Sequence, residues 1–226
     1  PVRVTSYVVP KEPEKPENWK PFVLSEELHV MHNFAPRPLV GATTPPGSNV
    51  LVATAYEGVF TIGPVAGKWT TTKIGEGNQA TPQSNRGASE VKVGALGGQS
   101  RVIATIEPWH GNQVVVYTEP RKDEPLWRRH VVDEQLRWGH AVSFADFDGD
   151  GVEELVIGVR DDPDPKKGDT FKERRGVRIY KAADVTGAKW DRTVIEDGGV
   201  AVEDLAVGDL NGDGKPDVVA VGRATG

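Results

Sequence analysis

Two short segments place oxygen donors at alternate positions. Asp146-Phe-Asp148-Gly-Asp150-Gly-Val-Glu-Glu154 puts carboxylates at positions 1, 3, 5 and 9, and Asp209-Leu-Asn211-Gly-Asp213-Gly-Lys-Pro-Asp217 repeats the pattern. Alternate donors on a tight loop converge on one hard cation, and glycine permits the sharp turn, so each loop is expected to hold Ca2+. Neither has a Glu at position 12, and β-type sequence flanks both, so they are not EF-hands. The competing reading is an Asx-turn with solvated carboxylates.

His140 lies six residues before Asp146, and Glu203 six before Asp209. The same offset, taken from Leu96 and Pro38, falls on Glu90 and His32. His32, Glu90, His140 and Glu203 thus share one position of a repeat. Two imidazoles and two carboxylates converging on an axis fit a further divalent metal such as zinc or manganese. They also fit a general acid–base pair. A wet, polar channel mouth is the plainer alternative. Near the same level fall Glu57, Glu107, His110, Arg160-Asp161 and Arg223. His110 and His140 are the candidate acid and base, and Arg160 or Arg223 would stabilise developing negative charge. Trp109 and Trp138 offer flat faces for a sugar ring and, with Glu57 and Glu107, form the candidate substrate contacts. His29 lies outside the register, and His130 reads as structural.

The elements that must position these residues come from an internal repeat. Trp19, Trp69, Trp127 and Trp190 each open a β-rich run, at spacings of 50, 58 and 63 residues. Before each Trp lies another such run: 2–9, 58–62, 113–117 and 176–180. Val/Ile/Ala-rich runs at 50–55, 101–106, 154–159 and 217–222 form a third set, and runs starting at His32, Glu90, His140 and Glu203 a fourth. Four short strands per unit with turn-rich joints read as the blade of a β-propeller. The fold class is therefore all-β, a propeller of four-stranded antiparallel blades. Blades are expected at about 28–77, 87–135, 138–198, and 200–226 completed by 1–27. The phase match would close a ring of four blades, and a run of blades from a larger ring would match equally well. The His/Glu positions lie where the innermost strand begins, with the calcium loops on the opposite face. The repeat tryptophans are expected in the blade cores. Residues 10–18, 78–86 and 161–175 read as loops.

The chain has 226 residues and a net charge of −6. It lacks basic blocks, which argues against nucleic acid, and any apolar run of the roughly 20 residues a membrane helix needs. Zero Cys excludes disulfides, zinc–thiolate sites and a cysteine nucleophile. No Gly-rich phosphate loop or Gly-x-Ser-x-Gly elbow occurs. No signal peptide is visible, yet the chain opens at Pro1 without Met, and a secreted or periplasmic location is expected.

Phe-Ala-Asp-Phe-Asp-Gly-Asp-Gly-Val-Glu-Glu-Leu-Val-Ile-Gly and Val-Gly-Asp-Leu-Asn-Gly-Asp-Gly-Lys-Pro-Asp-Val-Val-Ala resemble FG-GAP/VCBS repeats. That resemblance implies a propeller, commonly seven-bladed, with calcium between strands one and two. The loops at 35–49 and 96–100 lack the pattern. Ile-Glu-Pro-Trp-His-Gly-Asn-Gln-Val-Val-Val-Tyr and Leu-Arg-Trp-Gly-His-Ala-Val resemble the propeller part of sugar lyases and dehydratases related to aldos-2-ulose dehydratase. This implies a carbohydrate substrate and β-elimination after proton abstraction. Two alternatives stand beside it: a non-catalytic carbohydrate- or protein-binding propeller, and a structural set of blades inactive alone.

Overall fold

The computed structural model describes residues 1–38, 49–98 and 100–223. The described residues form sixteen strands: β1 (Val4–Val8), β2 (Lys20–Ser25), β3 (Phe34–Pro38), β4 (Asn49–Ala55), β5 (Gly58–Val65), β6 (Lys68–Gly75), β7 (Val91–Ala95) and β8 (Arg101–Glu107), then β9 (Gln113–Thr118), β10 (Arg128–Asp133), β11 (Gly139–Ala145), β12 (Glu154–Val159), β13 (Gly176–Ala182), β14 (Trp190–Asp197), β15 (Ala201–Gly208) and β16 (Asp217–Arg223). Three four-stranded antiparallel sheets follow chain order, β3 to β6, β7 to β10 and β11 to β14. These are the three complete blades. No described helix is long and apolar enough to cross a membrane.

The expected fourth blade is two separate sheets, β1–β2 and β15–β16. No ladder among the described residues joins β16 to β1, so a four-bladed closure is not observed. The parts of the 35–49 and 96–100 loops at 39–48 and Gln99 lie outside the described residues.

The second strands of the complete blades are covered on both faces, so their sequences run apolar without alternation, whereas β16 of the last half-blade is partly exposed. In β8 the residues Val102 to Glu107 are all buried, and in β12 all six are. Successive side chains point to opposite faces, and each face meets a different neighbour. Val102, Ala104 and Ile106 pack with Leu155, Ile157 and Tyr180 of the following blade. Ile103 packs the other way, with Val52, Val59 and Ile74 of the preceding one. Leu24 and Leu28 cover Ala53 and Ile62, and Val202 covers Val156 and Val177, so both half-blades are docked onto complete ones. Gly58 and Gly176 open the third strands of two blades at the same φ of +126°, a conformation that glycine adopts and other residues avoid.

The repeat tryptophans correct one expectation. Of the four, only Trp190 is buried; Trp69 is 38 % exposed. They sit at outer strands, where one face meets solvent. Trp69 lies 6.3 Å from Phe22 of the neighbouring half-blade. Trp127 packs against a core cluster, with Arg37 of the preceding blade stacked over it at 5.2 Å. Trp19 donates to the Pro13 carbonyl, and Trp190 alone lies in a buried cluster.

Candidate functional site

Three histidines from three blades meet at the mouth. His32 precedes β3, His110 lies in the β8–β9 connection, and His140 lies in β11. Each presents a ring nitrogen within 4.8 Å of the others. The His110 and His140 rings stack at 4.6 Å, and His32 meets His110 edge-on at 4.5 Å. Such spacing suits one metal ion held by three nitrogens, with a position left open.

Local backbone irregularity aims these groups. In β11 the register jumps between Gly139 and Ala141, so His140 is the extra residue of a β-bulge; in β15 it jumps between Val202 and Asp204, making Glu203 the bulged residue. A bulge re-aims a side chain that regular pleating would bury. Backbone strain concentrates here too. Val30, His110 and Trp138 have φ of 50°, 45° and 56°. Each is a triad histidine or lies two residues from one. Such conformations cost on the order of 1–3 kcal/mol each and persist where surrounding structure enforces them. The enforcing contacts are visible: the Ser89 hydroxyl accepts from the His110 amide at 3.1 Å, and the Trp138 carbonyl accepts from the Arg160 amide at 3.0 Å.

Carboxylates back the histidines. Glu90 Oε1 lies 2.7 Å from His32 Nδ1 and 4.0 Å from His110 Nδ1, and Glu90 Oε2 accepts from Asn33 at 2.8 Å. Glu90 raises His32 above the ordinary imidazole value, outweighing partial burial. Burial pushes Glu90 up, but His32 and Asn33 more than offset this and hold it below the usual carboxylate range. Burial, with His140 and His32 adjoining, drives His110 down to about 4, so it is a neutral imidazole at neutral pH. Its Nδ1 is buried and accepts or donates no hydrogen bond. His140 Nδ1 lies 2.7 Å from the Glu203 carbonyl, which can only accept, so Nδ1 is the donor and Nε2 is the nitrogen turned to the cluster. Glu203 Oε2 stands 3.4 Å from that Nε2, and its Oε1 pairs with Arg223 at 2.9 Å. Arg223 continues to Asp161 at 2.7 Å, and Asp161 to Arg160 at 3.5 Å.

Next to the triad lies a cavity of about 220 Å³. Trp109, 5.1 Å from the His110 ring, forms one wall, and Trp138 another. Thr81 and Asn85 come from the 78–86 loop, and Asp169 and Phe171 from the 161–175 insertion. Arg137 stacks on Trp138 at 4.7 Å and pairs with Asp169 at 2.9 Å.

The expected ring is brought together, with one exchange: His110 joins the two histidines at the nitrogen cluster, while Glu90 and Glu203 stand behind it. Glu107 is corrected. It is fully buried, and accepts from Thr105, Tyr117 and Arg129 at 2.9, 2.7 and 2.9 Å, so no substrate reaches it. Glu57 binds the amide and ring of His29 at the surface. The walls supplied by Thr81, Asn85, Asp169 and Phe171 were not anticipated; beyond loop position, nothing in those segments distinguishes a cavity wall.

The two acidic loops share one backbone. Gly149 and Gly212 have φ of 77° and 80°, and Gly151 and Gly214 both 84°. Asp146 accepts from Gly149 and Gly151 at 2.7 and 2.9 Å; Asp209 accepts from Gly212 and Gly214 at 2.7 and 2.8 Å. Glu154 accepts from Phe147, and Asp217 from Leu210, both at 2.9 Å. In the first loop, oxygens of Asp146, Asp148 and Glu154 lie within 4.8 Å of one another, and the Glu154 Oε1 is buried without a hydrogen bond. A donor set of hard oxygens with one orphaned oxygen fits calcium. His140 and Asp146 lie at opposite ends of β11, roughly 20 Å apart at about 3.3 Å per residue.

These features define β-propeller blades with a histidine-centred cluster at the mouth, the end of the blades opposite the acidic loops. A family model for the aldos-2-ulose dehydratase β-propeller domain matches residues 1–122, and one for the FG-GAP repeat matches residues 201–226. The chain belongs to the aldos-2-ulose dehydratase β-propeller family. Aldos-2-ulose dehydratase of Phanerodontia chrysosporium is 26 % identical over 211 residues, covering 86 % of this chain and 23 % of that protein. The chain thus spans about a quarter of the length of the curated relative it matches.

Proposed function

We propose that the mouth is the active site of a carbohydrate dehydratase, removing water from an aldos-2-ulose or a similar keto sugar by β-elimination. The observation that carries this reading is the strained three-histidine cluster beside a cavity walled by two tryptophans. His32, His110 and His140 would hold a divalent metal such as zinc. When bound, that metal polarises a carbonyl oxygen and so acidifies the adjacent carbon. Trp109 and Trp138 hold the sugar ring by its faces. Glu203, 3.4 Å from His140 Nε2 and paired with Arg223 at 2.9 Å, would take the proton from that carbon. The electron pair forms the new double bond, the C–O bond beyond it breaks, and the hydroxyl leaves as water with a proton returned to it. Arg160, whose Nε is buried and unpaired, offers positive charge to the oxygen that becomes electron-rich.

The same reading assigns calcium to the 146–154 and 209–217 loops, where it ties inner strands together away from the chemistry. The test combines elemental mass spectrometry with a dehydration assay on an aldos-2-ulose, followed by the absorbance of the unsaturated product. One tightly held transition metal per chain is expected, lost together with turnover in His110→Ala. Undiminished turnover in His110→Ala would sink the assignment. Tight sugar binding without turnover by the metal-loaded protein would favour a binding propeller instead.

A further inference from the structure

The two acidic loops differ at one side chain. Lys181, in β13, donates its ammonium to Asp148 Oδ2, lies 3.1 Å from Asp150 Oδ2, and stands 3.7 Å from Glu154 Oε1. These are positions 3, 5 and 9 of the loop, three of the four side chains that would surround a cation there. Among the described residues no lysine or arginine pairs with Asp209, Asp213 or Asp217. Their oxygens take backbone amides and, at 3.3 Å, the Asn211 amide.

The ammonium fills the first loop incompletely. Glu154 is 4 % exposed, yet its Oε1 has no hydrogen bond, and Lys181 stops 3.7 Å short of it. A singly charged group with three donors on a tether reaches two carboxylates. A divalent cation takes six to eight oxygens at about 2.3–2.6 Å and would reach the third. Before any such cation binds, Asp146, Asp148, Asp150 and Glu154 crowd like charges into nine residues, and Lys181 offsets that repulsion.

We infer that Lys181 is a built-in counter-ion of the 146–154 loop, and that calcium enters this loop only by displacing the Lys181 ammonium. The 209–217 loop takes calcium without that competition. This rests on the calcium reading of the loops given above. Its consequence is a division of labour: the first loop keeps its fold when calcium is scarce, while the second depends on it.

The test isolates the first loop with Asp209→Asn and Asp213→Asn, then compares Lys181 with Lys181→Met by calorimetric calcium titration. Methionine keeps an apolar stem and removes the charge. Calcium affinity of the first loop is expected to rise about tenfold or more in Lys181→Met, the scale of removing two to three exposed ion pairs. Equal affinities would overturn the inference and leave the calcium reading standing. No uptake by either protein at millimolar calcium would overturn both. A second measurement uses the unaltered chain: labelling of Lys181 by an amine-reactive ester, quantified by peptide mass spectrometry. Added calcium is expected to increase labelling at Lys181 relative to the exposed Lys11 and Lys122. Unchanged or reduced labelling would overturn the inference.

Discussion

The channel mouth and the acidic loops stand at opposite ends of the same inner strands and are built by opposite means. Each loop is one short segment whose carboxylates bond its own amides, Asp209 to Gly212 and Gly214, Asp146 to Gly149 and Gly151. The mouth draws His32, His110 and His140 from three blades, and Glu203 from the half-blade beyond. The loops relieve their backbone at glycine; the mouth places Val30, His110 and Trp138 at positive φ. A locally folded site survives changes elsewhere. A site assembled across blades depends on every interface that sets its geometry, so its backing residues matter almost as much as its ligands.

The largest effect should come from His140→Ala. Because His140 is one of the three ligands proposed for the metal that acidifies the substrate carbon, its loss is expected to lower dehydration by roughly 100-fold or more, through metal affinity and the chemistry together. Calcium binding by the loops should be unchanged, since five residues of β11 separate His140 from Asp146 and no loop carboxylate contacts the mouth among the described residues. Calorimetric calcium titration of the variant checks this. Loss of loop calcium together with activity would break the comparison and tie the two ends into one unit.

That contrast also explains what was legible beforehand. The strands could be placed because buried second strands run apolar and Gly-rich turns separate them, and the loops because one segment carries all the donors. His32, Glu90, His140 and Glu203 could be aligned because a repeat shares its register. His110 could be placed at the level of the mouth but not among the metal-facing nitrogens, since it lies in the β8–β9 connection and the matching connections of the other two complete blades carry no histidine. The bulges at His140 and Glu203 leave no mark in composition, because an extra residue in a strand looks like any other. Glu107 was misplaced for a related reason. Its position at the end of β8 points to the mouth, but Tyr117 of β9 and Arg129 of β10, on the next two strands of the same blade, capture it.

A smaller effect should sharpen the point about backing residues. Glu90→Gln leaves all three histidines in place but weakens the carboxylate support of His32 Nδ1 and the charge near His110 Nδ1. Removing such a partner typically lowers metal affinity by about 10–100-fold. Competition with a chromophoric chelator measures it, and melting temperature controls for misfolding. An affinity equal to that of the unaltered chain would mean that the mouth is no more cooperative than a loop.

The smallest effect is expected at the second loop, on acidification. The Asp209 carboxyl is held below its ordinary value because the Gly214 and Gly212 amides donate to the charged form. A carboxyl with a depressed folded value contributes stability that is present above its ordinary value, about 3.9, and is lost as pH falls through the lowered one. In calcium-free protein, the Gly212 and Gly214 amides should therefore keep their hydrogen-bonded NMR shifts down through pH 4 and lose them only below it. Because the carboxylate is fully open to solvent, the change should stay within the loop and leave the Gly139 and His140 amides of β11 undisturbed. A midpoint at or above the ordinary Asp value would mean that the glycine amides do not hold Asp209. A simultaneous shift at His140 would mean that the inner strands transmit what the loop feels, and that the two ends of the propeller are not independent.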